Sequence, residues 1–430
     1  MSRKKRLLIA ALDGVPYSLL QKFAEDGTMP NTAAILRAGK AVPMNSTMPD
    51  VSAVAWSTFM TGKSPAEHGI FGFVDIDHRS YAFTFPNSYD NQAETFWDML
   101  GRQGKRCAVL NLPSTYPAKP INGILISGFP AVLLEKAVYP RSIVGKLQSA
   151  AYQLDVDTNK AHHDLNAFAA DLFEVFGARV QVFRELWNME PWDLFIGCIT
   201  ETDRLHHFFF DAAYDDKHPH HKMFRRFYGR LDSLLGEMFS WCDNDTTMMI
   251  VSDHGFTSIR QEFYINRWLV DNEFLRFRAD RAESFAELAD DSKAFALDPC
   301  RIFIHRTGSF SRGSVRTTED YETIRNALME RLSGLEYNGE KVMKRVMKKE
   351  ELYTVGPFFD RSADILCMPN DGFDLKASLR SGQQFGRTAL QGMHKQDDAV
   401  LYVGGNGFPI DHKPNISEVA GSVLEHFNDG

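Results

Sequence analysis

Five short apolar runs punctuate the chain: Leu7–Leu12, Cys107–Leu112, Leu194–Ile199, Met248–Ser252 and Ala399–Val403. Each has the length of a strand and is apolar at successive positions instead of alternate ones. That pattern fits a strand covered on both faces. Helical patterns lie between the runs. The clearest joins Phe224, Phe227, Tyr228, Leu231, Leu234, Leu235 and Met238, whose spacing puts them on one helix face. Strands alternating with helices predict an α/β fold with a mainly parallel sheet, all five runs being read as parallel strands. Ligands of such sheets gather beyond the carboxyl ends of the strands, so the residue just after each run is where chemistry is expected.

The stretch from Asn266 to Phe385 breaks the pattern. Its strands are less regular and it is richer in charge; the dense run Lys341 to Glu351 reads as a solvated helix face. We therefore expect an α/β core over 1–265 and 386–430, and an inserted, cap-like lobe over 266–385. A chain of 430 residues can bury a large core without disulfides. Its five cysteines form no Cys-x-x-Cys pair and are odd in number, so they read as reduced and mostly buried. The net charge of −8 argues against a protein that coats a nucleic acid polymer. Met-Ser-Arg-Lys-Lys-Arg ahead of Leu7 has the look of a signal peptide. Asp13 stops the apolar run after six residues and no small-residue cleavage site follows. With no run long enough to span a membrane, a cytoplasmic protein is expected. The oligomeric state is open.

Five segments place Asp, His or Ser where the fold would present them. Asp13-Gly14 ends the first run. Ser52 opens a predicted helix, where free backbone N–H groups and the helix dipole favour an alkoxide nucleophile and an anionic substrate. Asp203 and His207, after the third run, are spaced i and i+4, so on a helix they share one face; His206 points elsewhere. Asp253-His254-Gly255 ends the fourth run, with Gly255 admitting close backbone approach. His394 precedes the fifth. Asp13, Asp203, His207, Asp253, His254 and His394 together make three carboxylates and three imidazoles. Such a set, with one hydroxyl, suits two divalent metal ions and a phosphate-derived substrate. The donor types fit zinc, with manganese as the alternative. His218, His220 and His221, around Pro219, read as an exposed loop.

The chain resembles the alkaline phosphatase superfamily, in particular its type I phosphodiesterase and nucleotide pyrophosphatase branch. The resemblance rests on Leu12-Asp13-Gly14, Met29-Pro30-Asn31, the segment from Ser52 through Thr61-Gly62-Lys63 to His68-Gly69-Ile70, Asn111-Leu112-Pro113, Glu201-Thr202-Asp203-Arg204 with His207, Ser252-Asp253-His254-Gly255 and Gly392-Met393-His394. It implies a three-layer α/β/α core with an inserted smaller lobe. It also implies that Asp203, His207 and His394 hold one metal and Asp13, Asp253 and His254 the other. Ser52 would touch both ions as an oxygen ligand and serve as the nucleophile. The implied activity is hydrolysis of a phosphodiester or pyrophosphate bond in a small phosphate ester or nucleotide, through a phosphoseryl intermediate. A phosphomutase, phosphotransferase or phosphomonoesterase using the same site is the alternative. Two positions depart from the pattern. Phe73 stands where nucleotide pyrophosphatases carry an Asn; Asn111 is a possible substitute, although a turn role also explains it. Ser52, Val54 and Trp56 do not match the spaced residues of sulfatases.

Overall fold

The structure is a computed structural model that describes residues 5–279, 282–354, 356–405, 410 and 412–428. Residues 1–4, most of the expected basic tail, lie outside the described residues. The chain divides into two compact units. The first comprises Met1–Lys63, Asn87–Thr257 and Ala389–Gly430, and the second Ser64–Pro86 and Ser258–Thr388. The second unit therefore takes in residues 64–86 as well, which the sequence pattern left in the core. No helix among the described residues is long and apolar enough to cross a membrane.

The first unit is built on an eight-stranded sheet. In chain order its strands are β1 (Arg6–Leu12), β2 (Gly39–Met44), β3 (Cys107–Leu112), β4 (Gly123–Ser127), β5 (Val138–Tyr139), β6 (Leu194–Ile199), β7 (Thr246–Val251) and β8 (Ala399–Gly404). Their spatial order is β2-β8-β7-β1-β6-β3-β4-β5. The five strands β7, β1, β6, β3 and β4 run parallel. They are almost wholly buried, as their continuous apolar runs require. Both edges are antiparallel.

The run from Ala399 corrects an expectation. Its apolar pattern predicts a parallel strand, but β8 is antiparallel to both β7 and β2. A run apolar at every position reports that both faces are covered, and it carries no information on direction. The chain re-enters the sheet just after Gly392–Lys395, which pairs with Gly255–Ser258 beyond the end of β7. From that end it has to run back against its neighbours.

Alternate residues of β1 enter different cores, which makes the unit three-layered. Leu8, Ala10 and Leu12 pack with Phe168, Leu172, Phe227 and Leu231, from helices Leu165–Trp187 and His221–Ser240. Leu7, Ile9 and Ala11 pack on the other face with Trp56, Phe59, Leu100 and Val423. The predicted face from Phe224 to Met238 is buried throughout.

In the second unit, Arg301–Ile304 and Ile365–Pro369 form the centre of a four-stranded sheet, with Ala294–Leu297 and Met343–Lys348 at its edges. Here a second expectation fails. Most of the charged run 341–351 is the strand Met343–Lys348; only Lys349–Leu352 is helical. Met343 and Met347 are buried and Lys344 and Arg345 exposed. An edge strand that is half solvated accepts the same charge density as a helix face. All five cysteines are free, four of them buried and Cys242 partly so.

Candidate active site

The site forms where strands end in step. Leu12 of β1 pairs with Ile199 of β6, and Ala11 pairs with Val251 of β7. Asp13, Thr200 and Ser252-Asp253-His254 therefore reach one edge of the sheet together. Gly14 takes a left-handed φ of 66°, which turns the chain and lets its N–H donate to Asp253 Oδ1 at 3.0 Å. At Gly255 a Cβ would meet the Asp398 carbonyl oxygen at 2.8 Å. Close backbone approach is thus the reason for glycine there, as the sequence suggested.

Ser52 is the first residue of the helix Ser52–Thr61, whose N-cap is Val51. It is buried, and its Oγ lies 3.1 Å from His254 Nε2 and 3.3 Å from Asp13 Oδ1. Nδ1 of His254 faces the Gly255 carbonyl at 3.0 Å. A carbonyl only accepts, so Nδ1 carries the proton and Nε2 turns a lone pair toward Ser52. By the same logic His207 Nδ1 donates to the Gly392 carbonyl at 3.0 Å, so its Nε2 carries the lone pair, 3.3 Å from His394 Nε2.

Asp203 and His207 lie on the helix Glu201–Phe209, and His394 reaches them from Gly392–Lys395. Asp203 Oδ1 is 3.4 Å from each imidazole Nε2, and the two Nε2 atoms are 3.3 Å apart. Three ligand atoms at the corners of a tetrahedron around zinc are separated by about 1.6 bond lengths, or about 3.3–3.4 Å for bonds of about 2.0–2.1 Å. The triangle has that size. Asp203 Oδ1 is buried and accepts no hydrogen bond, and Asp253 Oδ2 is orphaned in the same way. A buried oxygen without a donor is costly unless a cation fills the gap. Asp13, Asp253 and His254 bring ligand atoms within 4.8 Å of one another, as do Asp203, His254 and His394. His254 stands between the two sets, stacked on His394 at 3.8 Å. All seven residues singled out in the sequence are thus brought together, and both ligand sets fit a divalent metal.

A family model, type I phosphodiesterase / nucleotide pyrophosphatase, matches residues 7–397. The chain belongs to that family. It is a phosphohydrolase. Solved structures of similar fold include phosphonoacetate hydrolase from Sinorhizobium meliloti 1021 in complex with phosphonoacetate. That chain is 16% identical with a TM-score of 0.64, and the match covers 99% of this chain and 96% of that one. Murine ectonucleotide pyrophosphatase / phosphodiesterase 5 is 15% identical with a TM-score of 0.56, covering 99% and 95%. Alkaline phosphatase PafA is 15% identical with a TM-score of 0.61, covering 100% and 96%. At these identities the likeness establishes the alkaline-phosphatase-like fold. No curated protein sequence matches the chain.

Several supporting residues in this family member had no separate signal in the sequence. Thr202 Oγ1 donates to the Asp13 carbonyl at 2.6 Å. His206, which the helical spacing turns away from the site, donates from Nδ1 to the Gly14 carbonyl at 2.9 Å and accepts from Tyr228 through Nε2 at 2.7 Å. Arg204 donates to Asp203 Oδ2 at 3.1 Å and is clamped by Asp155 at 2.8 and 3.3 Å. Thr202 and Arg204 flank Asp203, so only their roles were hidden; Asp155 is remote in sequence. Asn111 does not serve as a substitute oxyanion donor. Its amide nitrogen donates to Cys198 O and Thr200 Oγ1, and its backbone is left-handed at φ 61°. Among the described residues no candidate metal group includes His218, His220 or His221; the three are half-buried instead of exposed, and His221 opens a helix and donates to the Ala212 carbonyl.

Burial and crowding set the charges. Burial, with Asp253 and Asp203 adding repulsion, holds the Asp13 carboxyl well above its usual range. Burial pushes Asp253 up to about 7. Asp203 goes the other way. Burial opposes its charge, but His207, His394 and Arg204 outweigh it and hold the group well below the usual range. Burial brings His207 down to about 4 and lowers His254 strongly.

Without metal, Asp13 and Asp253 keep protons in the folded chain that the unfolded chain releases near pH 4. The stability they contribute is full below that pH and is lost as pH rises through their folded values, about 7 for Asp253 and well above the usual carboxyl range for Asp13. His207 and His254 lose stability in the opposite direction, as pH falls below about 6.5. The two effects oppose each other between about pH 4 and 6.5, and chelated protein is expected to lose stability as pH rises above about 6.5. The gain in Tm on adding zinc is expected to widen from pH 6 to pH 8, because the ion compensates carboxylates that are then ionised. Melting curves with and without metal at three pH values check this; a gain that shrinks with pH contradicts it.

Proposed function

We propose that the chain hydrolyses phosphodiester or pyrophosphate bonds on two divalent ions, with Ser52 as nucleophile. The observation that carries this reading is the placement of a buried hydroxyl at a helix N-terminus, 3.1–3.3 Å from His254 and Asp13, beside two ligand sets with orphaned carboxylate oxygens. Asp203, His207 and His394 would hold one ion, and Asp13, Asp253 and His254 the other. Bound there, zinc (or manganese) would supply Lewis acidity that favours the serine alkoxide and offsets charge on the leaving oxygen.

The residues do the rest. The N-terminus of the helix Ser52–Thr61 presents Ser52 to an anionic phosphoryl group and favours negative charge there. Ser52 gives its proton to solvent, and its Oγ forms a bond to phosphorus as the bond to the leaving alcohol or phosphate breaks. Water then cleaves the phosphoseryl ester and returns the hydroxyl. His206, Thr202 and Arg204 hold Asp13-Gly14 and Asp203 in place throughout, which keeps the geometry ready before substrate arrives.

Metal analysis is expected to find about two ions per chain. In a panel of bis-p-nitrophenyl phosphate, p-nitrophenyl thymidine phosphate, p-nitrophenyl phosphate, p-nitrophenyl sulfate and phosphonoacetate, the two diesters are expected to lead in kcat/KM. A dominant monoester, sulfate or phosphonate would replace the diesterase reading. Transfer to an added alcohol in preference to water would favour the phosphotransferase.

A further inference from the structure

Trp56 stands at a position the sequence used only to set sulfatases aside, and the mechanism above gives it no role. It lies one helical turn after Ser52, fully buried. Its indole N–H donates to Asp13 Oδ2 at 3.3 Å. The other oxygen of that carboxylate, Oδ1, is the one 3.3 Å from Ser52 Oγ and 3.8 Å from His254 Nε2. The ring is held edge-on against Phe59, with centroids 5.3 Å apart. Thr202 and His206 secure the carbonyls of Asp13 and Gly14, but the bond from Trp56 is made to the carboxylate itself.

We propose that Trp56 is a positioning residue that locks the Asp13 carboxylate so that Oδ1 alone faces Ser52 and the Asp13, Asp253 and His254 set. A carboxylate on a single Cα–Cβ–Cγ stem can turn about its last bond. With Oδ2 tied to a rigid ring on the nucleophile helix, the rotation is arrested before an ion arrives. Because donor and nucleophile share one helix, the same bond also fixes the distance from Ser52 to Asp13. An indole N–H donates without adding a charge, so the carboxylate keeps its full charge for a cation. Partners that orient a ligand from behind typically contribute 10- to 100-fold to metal affinity.

The inference rests on the two-ion reading, and the experiment separates the two. Full-length protein stripped of metal is titrated with zinc against a chromophoric chelator. Unmutated protein that takes up no zinc sinks the two-ion reading itself. If it takes up two ions, Trp56→Phe is expected to raise one dissociation constant about tenfold or more and leave the other within twofold. Phe59→Leu, which loosens the same packing but keeps the N–H, is expected to leave both within twofold. Unchanged constants in Trp56→Phe, or an equal loss in Phe59→Leu, overturn the role of Trp56. A second measurement needs no variant. Of the six indole N–H signals of 15N-tryptophan-labelled protein, one is expected to shift as zinc is added. If none moves, the proposal fails.

Discussion

Ser52→Ala is expected to reduce hydrolysis of bis-p-nitrophenyl phosphate by about 10^4-fold or more, with both metal ions retained. The magnitude follows from losing the attacking atom while orientation and charge stabilisation survive; enzymes that lose an activated serine fall by factors of this order. The fold should tolerate the change. Ser52 is the first residue of its helix, and Val51 is the cap, so the hydroxyl makes no capping bond. Alanine is also the better helix former. What is lost is an oxygen 3.1 Å from His254 and 3.3 Å from Asp13. Ser52→Thr, which restores a hydroxyl, should recover part of the rate. Stopped assays with metal analysis on the same sample decide the matter. More than a tenth of wild-type turnover in the alanine variant would remove Ser52 from the mechanism.

Asp203→Asn is expected to lose one of the two ions and at least about a thousandfold in turnover. The substitution keeps shape and removes charge. In the folded chain Oδ2 is held by Arg204, which only donates, so an Asn would keep its carbonyl oxygen on that side. Its amide N–H2 would then face the Nε2 atoms of His207 and His394, 3.4 Å away. Two donors would occupy the corner where a cation belongs. Near pH 7 the chelated variant should melt lower than chelated wild type, because the folded chain stabilises the Asp203 carboxylate through His207, His394 and Arg204 and Asn forfeits that charge. Metal content beside melting temperature tests this. Two ions bound at wild-type affinity would contradict the assigned ligand set.

The site was more legible than the machinery around it, and the reason is chemical. Asp13 and Asp253-His254 follow apolar runs, Asp203 and His207 share a helix after another, and His394 precedes the last; each alone has a structural explanation, and only the set of three carboxylates and three imidazoles points to metal. Trp56, His206 and Asp155 gave no such warning. A tryptophan among Ala, Val and Phe reads as core, and Trp56 is core on every side except its one N–H. The bond from His206 to Gly14 joins segments nearly two hundred positions apart, and no local pattern reports a contact of that kind. Asn111 allowed two readings and the structure follows neither: it sits within β3 at a register shift, with a left-handed backbone and its amide bonded to Cys198 and Thr200.

From composition and periodicity alone came the buried parallel strands β1, β3, β6 and β7, the helix face from Phe224 to Met238, and the identity of every candidate ligand. These are local properties, since a side chain's polarity and its spacing from the next are written along the chain. Tertiary structure decided the direction of β8, the strand nature of most of the run 341–351, and the 3.3–3.4 Å triangle of Asp203, His207 and His394. Those depend on which segments become neighbours in space, and pairing is a property of the folded chain as a whole.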